Sequence, residues 1–116
     1  MGVHRGEVYF VELGPTVRRE QSGRRPVVVI SNDTINAKPL VIMVVPGTRA
    51  VKAPIASPSN VFVPKGEANL PQDTVFLTFQ AKAIDSTRIH TPPIGILTPE
   101  SMERLSRAFA WSFGID

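Results

Sequence analysis

The sequence predicts a mainly β domain closed by one C-terminal helix, with the strands forming a small, strongly bent antiparallel sheet or barrel. Three observations point there. Apolar residues come in runs of strand length, the longest from Leu40 to Val45. Eleven prolines cut the chain into short pieces. A helical spacing of apolar residues, one stripe every 3.6 positions, begins only after Thr98. With 116 residues and 12.7 kDa, one domain spanning 1–116 accounts for the whole chain.

The elements follow in order. Glu7 to Leu13 reads as a first strand, with Val8 and Phe10 on one face and Tyr9, Val11 and Leu13 on the other. Gly14 to Arg24 is a polar loop of about eleven residues, longer than most connections and therefore a candidate for function. Pro26 then opens Val27-Val28-Val29-Ile30, a β-branched run suited to burial on both faces. Asn32-Asp33-Thr34 supplies a turn or a short helical start. Leu40 to Val45 is the third strand, and Pro46 to Pro58 a second long loop stiffened by prolines. Asn60 to Val63, Asp73 to Ala81 and Ile94 to Leu97 complete the strands. Thr98 then caps a helix with Pro99 at its first position and Glu100 in its positive first turn. Met102, Leu105, Ala108 and Phe109 form its core stripe, core packing accounts for Trp111, and Gly114 ends it.

Several chemistries lack their residues. No cysteine is present, so disulfides, thiolate metal sites and a cysteine nucleophile are out. The two histidines, His4 and His90, are far apart and have no flanking ligands, and no phosphate-loop, dinucleotide or zinc-protease motif occurs. No apolar run has the length of a membrane span or a signal peptide, which makes the cytoplasm the expected compartment. The charge is unevenly placed. Between Arg18 and Lys52 lie seven cations (Arg18, Arg19, Arg24, Arg25, Lys38, Arg49, Lys52) against Glu20 and Asp33, a net +5, whereas the rest nets −2. Such a segment is either a polyanion-binding surface or a solvated arginine-rich loop.

A family pattern runs through the same region. Arg5-Gly6-Glu7-Val8-Tyr9-Phe10-Val11-Glu12-Leu13, followed by Glu20-Gln21-Ser22-Gly23-Arg24-Arg25-Pro26 and Val27 to Asn32, resembles the N-terminal signature of MazF/PemK toxins. Val45-Pro46-Gly47-Thr48 is similar to that family's threonine motif, and Phe79-Gln80-Ala81-Lys82-Ala83-Ile84-Asp85 with Arg88-Ile89 to its downstream block. Ile94-Gly95-Ile96-Leu97, leading into the helix, fits as well. The resemblance implies an SH3-like barrel, a homodimer, and metal-independent, cofactor-free cleavage of single-stranded RNA at short sequences. It also implies silencing by a cognate antitoxin with an acidic C-terminal segment. Matched position by position, its catalytic residues are Arg25 and Thr48.

The chemistry suits those residue types. RNA carries its own nucleophile, the 2′-OH, so an enzyme needs only to align it and stabilise charge on the phosphorane, leaving 2′,3′-cyclic phosphate and 5′-OH ends. A guanidinium fork matches phosphate oxygens, and a hydroxyl donates one more hydrogen bond. The plainer roles are an ion pair of Arg25 with Glu20 and a turn hydroxyl for Thr48. Arg18, Arg19, Arg24 and Arg49 are candidates for the phosphate backbone. Glu20, Ser31, Asn32 and Gln80 are candidates for reading exposed base edges, and Gln21 is a further candidate for RNA binding. Arg18-Arg19, and the Gly47 and Arg49 flanking Thr48, depart from the family's usual small or aliphatic residues, which bears on the sequence cut more than on the reaction. An alternative of another class is a CcdB-type gyrase inhibitor on the same barrel. Those proteins end in Trp-Gly-Ile, whereas this chain ends Trp111-Ser112-Phe113-Gly114-Ile115-Asp116 and carries the arginine and threonine motif they lack.

Overall fold

The computed structural model describes residues 2–15, 23–38, 40–54 and 56–115. Among these residues the chain forms seven strands and two helices. In chain order they are β1 (Glu7–Glu12), β2 (Arg24–Val29), α1 (Asp33–Asn36), β3 (Val41–Arg49), β4 (Asn60–Val63), β5 (Thr74–Leu77), β6 (Lys82–Asp85), β7 (Gly95–Ile96) and α2 (Pro99–Ser112). The strands are ordered β4-β5-β3-β2-β1-β7, with β6 added on β3, and every pairing is antiparallel. The sheet curls around α2 as the half-barrel expected for the fold class.

Alternation along β1 and β2 sorts side chains between two cores. Val8 and Val28 join Val45, Val61, Val63, Leu70, Phe76, Leu97, Leu105 and Ala108 beneath α2. Tyr9, Val11, Leu13, Val27 and Val29 pack with Ile42, Val44, Ile84 and Ile89 on the opposite face. Val27, Val28 and Val29 are fully buried, so β2 is covered on both faces as its unbroken apolar run requires.

Strand β3 departs from expectation and builds the bend. Pro46 to Arg49, read as loop, continues the strand. Its first half pairs with β2 and β6, and Gly47 to Arg49 pair instead with β5. The partner changes at Pro46 because proline has no N–H to carry the β2 ladder further. Gly47 then lets β5 close in. A Cβ there would lie 2.8 Å from Thr74 Cγ2 and 3.0 Å from Phe76 Cε1. Three smaller differences follow. β2 begins at Arg24, so Pro26 is its third residue, opposite Phe10. β5 stops at Leu77 and a 3-10 turn, Thr78–Gln80, replaces its expected continuation. Its Thr78 Oγ1 donates to the Ser59 carbonyl at 2.6 Å. β6 was not expected at all.

Helix α2 matches its sequence signals at both ends. The Thr98 hydroxyl accepts from Ser101 N at 3.1 Å, and Pro99 stands in the first turn. At the C-terminus Gly114 has φ +69°, while Ile115 N donates to the Ala110 carbonyl and Gly114 N to that of Trp111. These two bonds make a Schellman cap. Trp111 is not a core residue: 62% of it is exposed, because it lies off the Leu105–Ala108 stripe.

Glu67 adds a cap from outside the helix, accepting from Thr98 N at 3.1 Å and Thr98 Oγ1 at 3.2 Å. Burial pushes its pKa up, but hydrogen bonds from Ser101 and from the backbone and side chain of Thr98, with Arg104 nearby, outweigh that and hold it below the ordinary 4.5. A carboxyl lowered on folding contributes stability above its unfolded pKa and loses it as pH falls through the folded value. Glu67→Gln is therefore expected to lower the urea midpoint at pH 7, with the gap to the parent closing below the ordinary carboxyl range. A gap of constant size down to acid pH would show that the charge of Glu67 plays no part.

Candidate active site

The end of the β2–β3 ladder makes the site. Its last pair is Val27 with Pro46, and each further step moves one residue along both strands. Two steps on, Arg25 comes level with Thr48, where β3 has already turned to β5. The two side chains meet across this gap, with Arg25 Nη1 donating to Thr48 Oγ1 at 3.3 Å. Thr48 is 5% exposed and held in the β3–β5 ladder opposite Val75. Because its oxygen accepts from Arg25, its own O–H is left to serve as a donor. A charged fork and a hydroxyl donor thus converge from two strands, an arrangement suited to a phosphate.

A cleft of about 230 Å³ opens on this pair. On the β1–β2 side stand Phe10, Arg24 and Pro26, with the Arg24 guanidinium carbon 5.2 Å from the centre of the Phe10 ring. On the β5 side stand Leu70, Pro71, Gln72 and Thr74, with Arg49 between the two walls. Four of the expected residues, Arg24, Arg25, Thr48 and Arg49, therefore share one cleft.

The remaining candidates are placed elsewhere or not described. Arg18, Arg19, Glu20 and Gln21 lie outside the described residues. Ser31 is buried, donates to Asn36 Oδ1 at 2.5 Å and accepts from Met43 N at 3.1 Å. Asn32 caps α1, its Oδ1 accepting from Ile35 N at 3.0 Å. Gln80 ends the Thr78–Gln80 turn. These three do not line the cleft. Phe10, Leu70, Pro71 and Gln72 line the cleft without being among the residues expected there. Phe10 had a signal, since the hairpin register sets Arg24 diagonally across from it on the same face. The wall before β5 had none, because nothing local ties residues 70–72 to Thr48. Among the described residues no three of His, Cys, Asp or Glu come together as a metal site.

Comparison with known proteins bears on the family and the fold. The family model of PemK-like, MazF-like toxins of type II toxin–antitoxin systems matches residues 4–113. The endoribonuclease MazF of Staphylococcus saprophyticus is 35% identical over 114 residues, covering 97% of this chain and 92% of that protein. Among solved structures, MazF of Deinococcus radiodurans superimposes with a TM-score of 0.81 at 19% identity, covering 99% of both chains. A mycobacterial endoribonuclease solved with its cognate antitoxin gives 0.79 at 19% identity, covering 98% of this chain and 97% of that one. At such identity these two structures bear on the fold, and membership rests on the family model and the staphylococcal relative. The chain belongs to the PemK-like, MazF-like toxins of type II toxin–antitoxin systems, the family of the staphylococcal endoribonuclease.

Proposed function

We propose that this toxin is an endoribonuclease that cuts single-stranded RNA by attack of the substrate's own 2′-OH, without a metal or other cofactor. The observation that carries the reading is the Arg25–Thr48 contact at 3.3 Å on the floor of an open cleft. In the reaction the 2′-oxygen bonds to the adjacent phosphorus as its proton leaves. The bond from phosphorus to O5′ then breaks, and O5′ takes up a proton. The products end in a 2′,3′-cyclic phosphate and a 5′-OH. Negative charge builds on the non-bridging oxygens, where Arg25 presents its fork and Thr48 its hydroxyl. Arg25 serves as a fixed charge while water carries the protons.

The basic cleft also bears on partners. Arg24, Arg25 and Arg49 form a surface for a polyanion, and an acidic antitoxin segment that folds on binding suits the same surface. A second copy of the chain would lengthen the groove, which is short on so small a barrel. An enzyme acting on cellular RNA would work in the cytoplasm.

Mapping ends on a long unstructured RNA tests the reading. Cutting should survive EDTA, leave 5′-OH ends and stop when the nucleotide before the cut is 2′-deoxy. An acidic antitoxin peptide should inhibit in competition with that RNA. Chelator-sensitive cutting that leaves 5′-phosphates would overturn it.

A further inference from the structure

We infer that the cleft beside Arg25 and Thr48 is a subsite for one nucleobase flanking the cut, and that Gln72 reads that base. The inference rests on the endoribonuclease reading above and adds a residue to it. With the phosphate on Arg25 and Thr48, a neighbouring base must go somewhere within one nucleotide's reach, and among the described residues this cleft opens there. Its volume of about 230 Å³ is below the roughly 300 Å³ at which pockets for drug-sized ligands begin, and suits a single planar ring system.

The walls have the chemistry such a ring requires. Phe10 and Pro26 on one side, and Pro71 on the other, offer apolar surface to its faces, with the buried Leu70 backing the wall. The Arg24 guanidinium, held near the Phe10 ring, adds a flat cation on which bases also stack. Thr74 is spent, because its hydroxyl donates to the Gln72 carbonyl at 2.9 Å. The Gln72 side chain is exposed at the cleft. Its amide places one N–H donor group beside one C=O acceptor, the pattern that pairs with the donor–acceptor edge of a base.

A reading residue needs a rigid seat, and the backbone supplies one. Gly66 N donates to the Leu70 carbonyl at 2.9 Å, and Ala50 N to the Asp73 carbonyl at 3.0 Å. The Asp73 carboxylate accepts from Lys65 N at 2.8 Å. Residues 70–73 are thus tied to the 64–66 turn on one side and to the end of β3, next to Arg49, on the other. The backbone at Gln72 is fixed in relation to Thr48, which lies in β3 two residues before Ala50.

The test compares the base preference of the parent, Gln72→Ala and Arg25→Ala on an RNA pool randomised around one cut site, with thermal melting as a fold control. The parent should favour one base at a position adjacent to the cut. Gln72→Ala should flatten that preference by roughly tenfold, the discrimination one amide–base pair supplies, and leave preferences at more distant positions alone. An unaltered profile in Gln72→Ala, with cutting by Arg25→Ala slowed about a hundredfold or more, would overturn the subsite while leaving the endoribonuclease reading intact. A parent that cuts no RNA would overturn both.

Discussion

Replacing Arg25 with alanine is expected to slow RNA cleavage by about a hundredfold to a thousandfold, the usual cost of removing one pre-placed donor from a developing oxyanion. The fold should tolerate it, because Arg25 is half-buried near the open end of the β2–β3 ladder rather than in either core. Arg25→Lys separates charge from geometry. A lysine keeps the charge but loses the planar fork, so an intermediate rate is expected. Thr48→Val is the companion change: it keeps the buried shape and removes both the acceptor for Arg25 and the donor for substrate. Because both residues act on one phosphate, the double variant should lose much less than the product of the single losses. Single-turnover rates on a short RNA, with circular dichroism to verify folding, decide the matter. A loss below tenfold in Arg25→Ala would remove Arg25 from the chemistry.

Much of this site was legible in the sequence through the family resemblance, because its two central residues lie in short motifs that match it position by position. Arg25 precedes a proline and an apolar run that admits only a buried strand, and Thr48 follows the third run at a natural distance. What the sequence hid was how they meet. Pro46 and Gly47 look like turn residues, yet here they sit inside β3. The proline ends one ladder, and the glycine admits the close approach of β5. Strand β6 was hidden for another reason. Lys82-Ala83-Ile84-Asp85 has one buried apolar side chain, and only its pairing with β3 identifies it. Ser31 and Asn32 show how polar residues mislead. Their hydrogen-bonding capacity suggested base reading, but the corner at α1 uses the Ser31 hydroxyl and the Asn32 carbonyl internally. Trp111 is the apolar counterpart, a large side chain left outside the helix stripe.

The second large effect concerns stability rather than cleavage, and Gly95 is its focus. Strand β7 crosses the 3-10 turn Glu67–Asn69, in which Ala68 and Asn69 both adopt left-handed backbone, φ +53° and +58°. That turn holds two elements at once. Asn69 Nδ2 donates to the Ile94 carbonyl at 2.7 Å, and Glu67 caps α2 through Thr98. The approach is so close that a Cβ on Gly95 would stand 2.4 Å from the backbone carbon and oxygen of Ala68. Neither is the movable end of a side chain, so relief requires shifting a backbone already strained. Gly95→Ala is therefore expected to cost about 3 kcal/mol or more, lowering the melting temperature by roughly 10 °C or more in a domain of this size. Gly114→Ala provides the contrast. Its φ of +69° disfavours a side chain, but nothing lies within 4 Å, so only the left-handed penalty of about 1 kcal/mol applies. Thermal melts of both variants give the answer. Equal shifts in the two would mean that the turn yields easily and that β7 does not depend on its contact with Ala68.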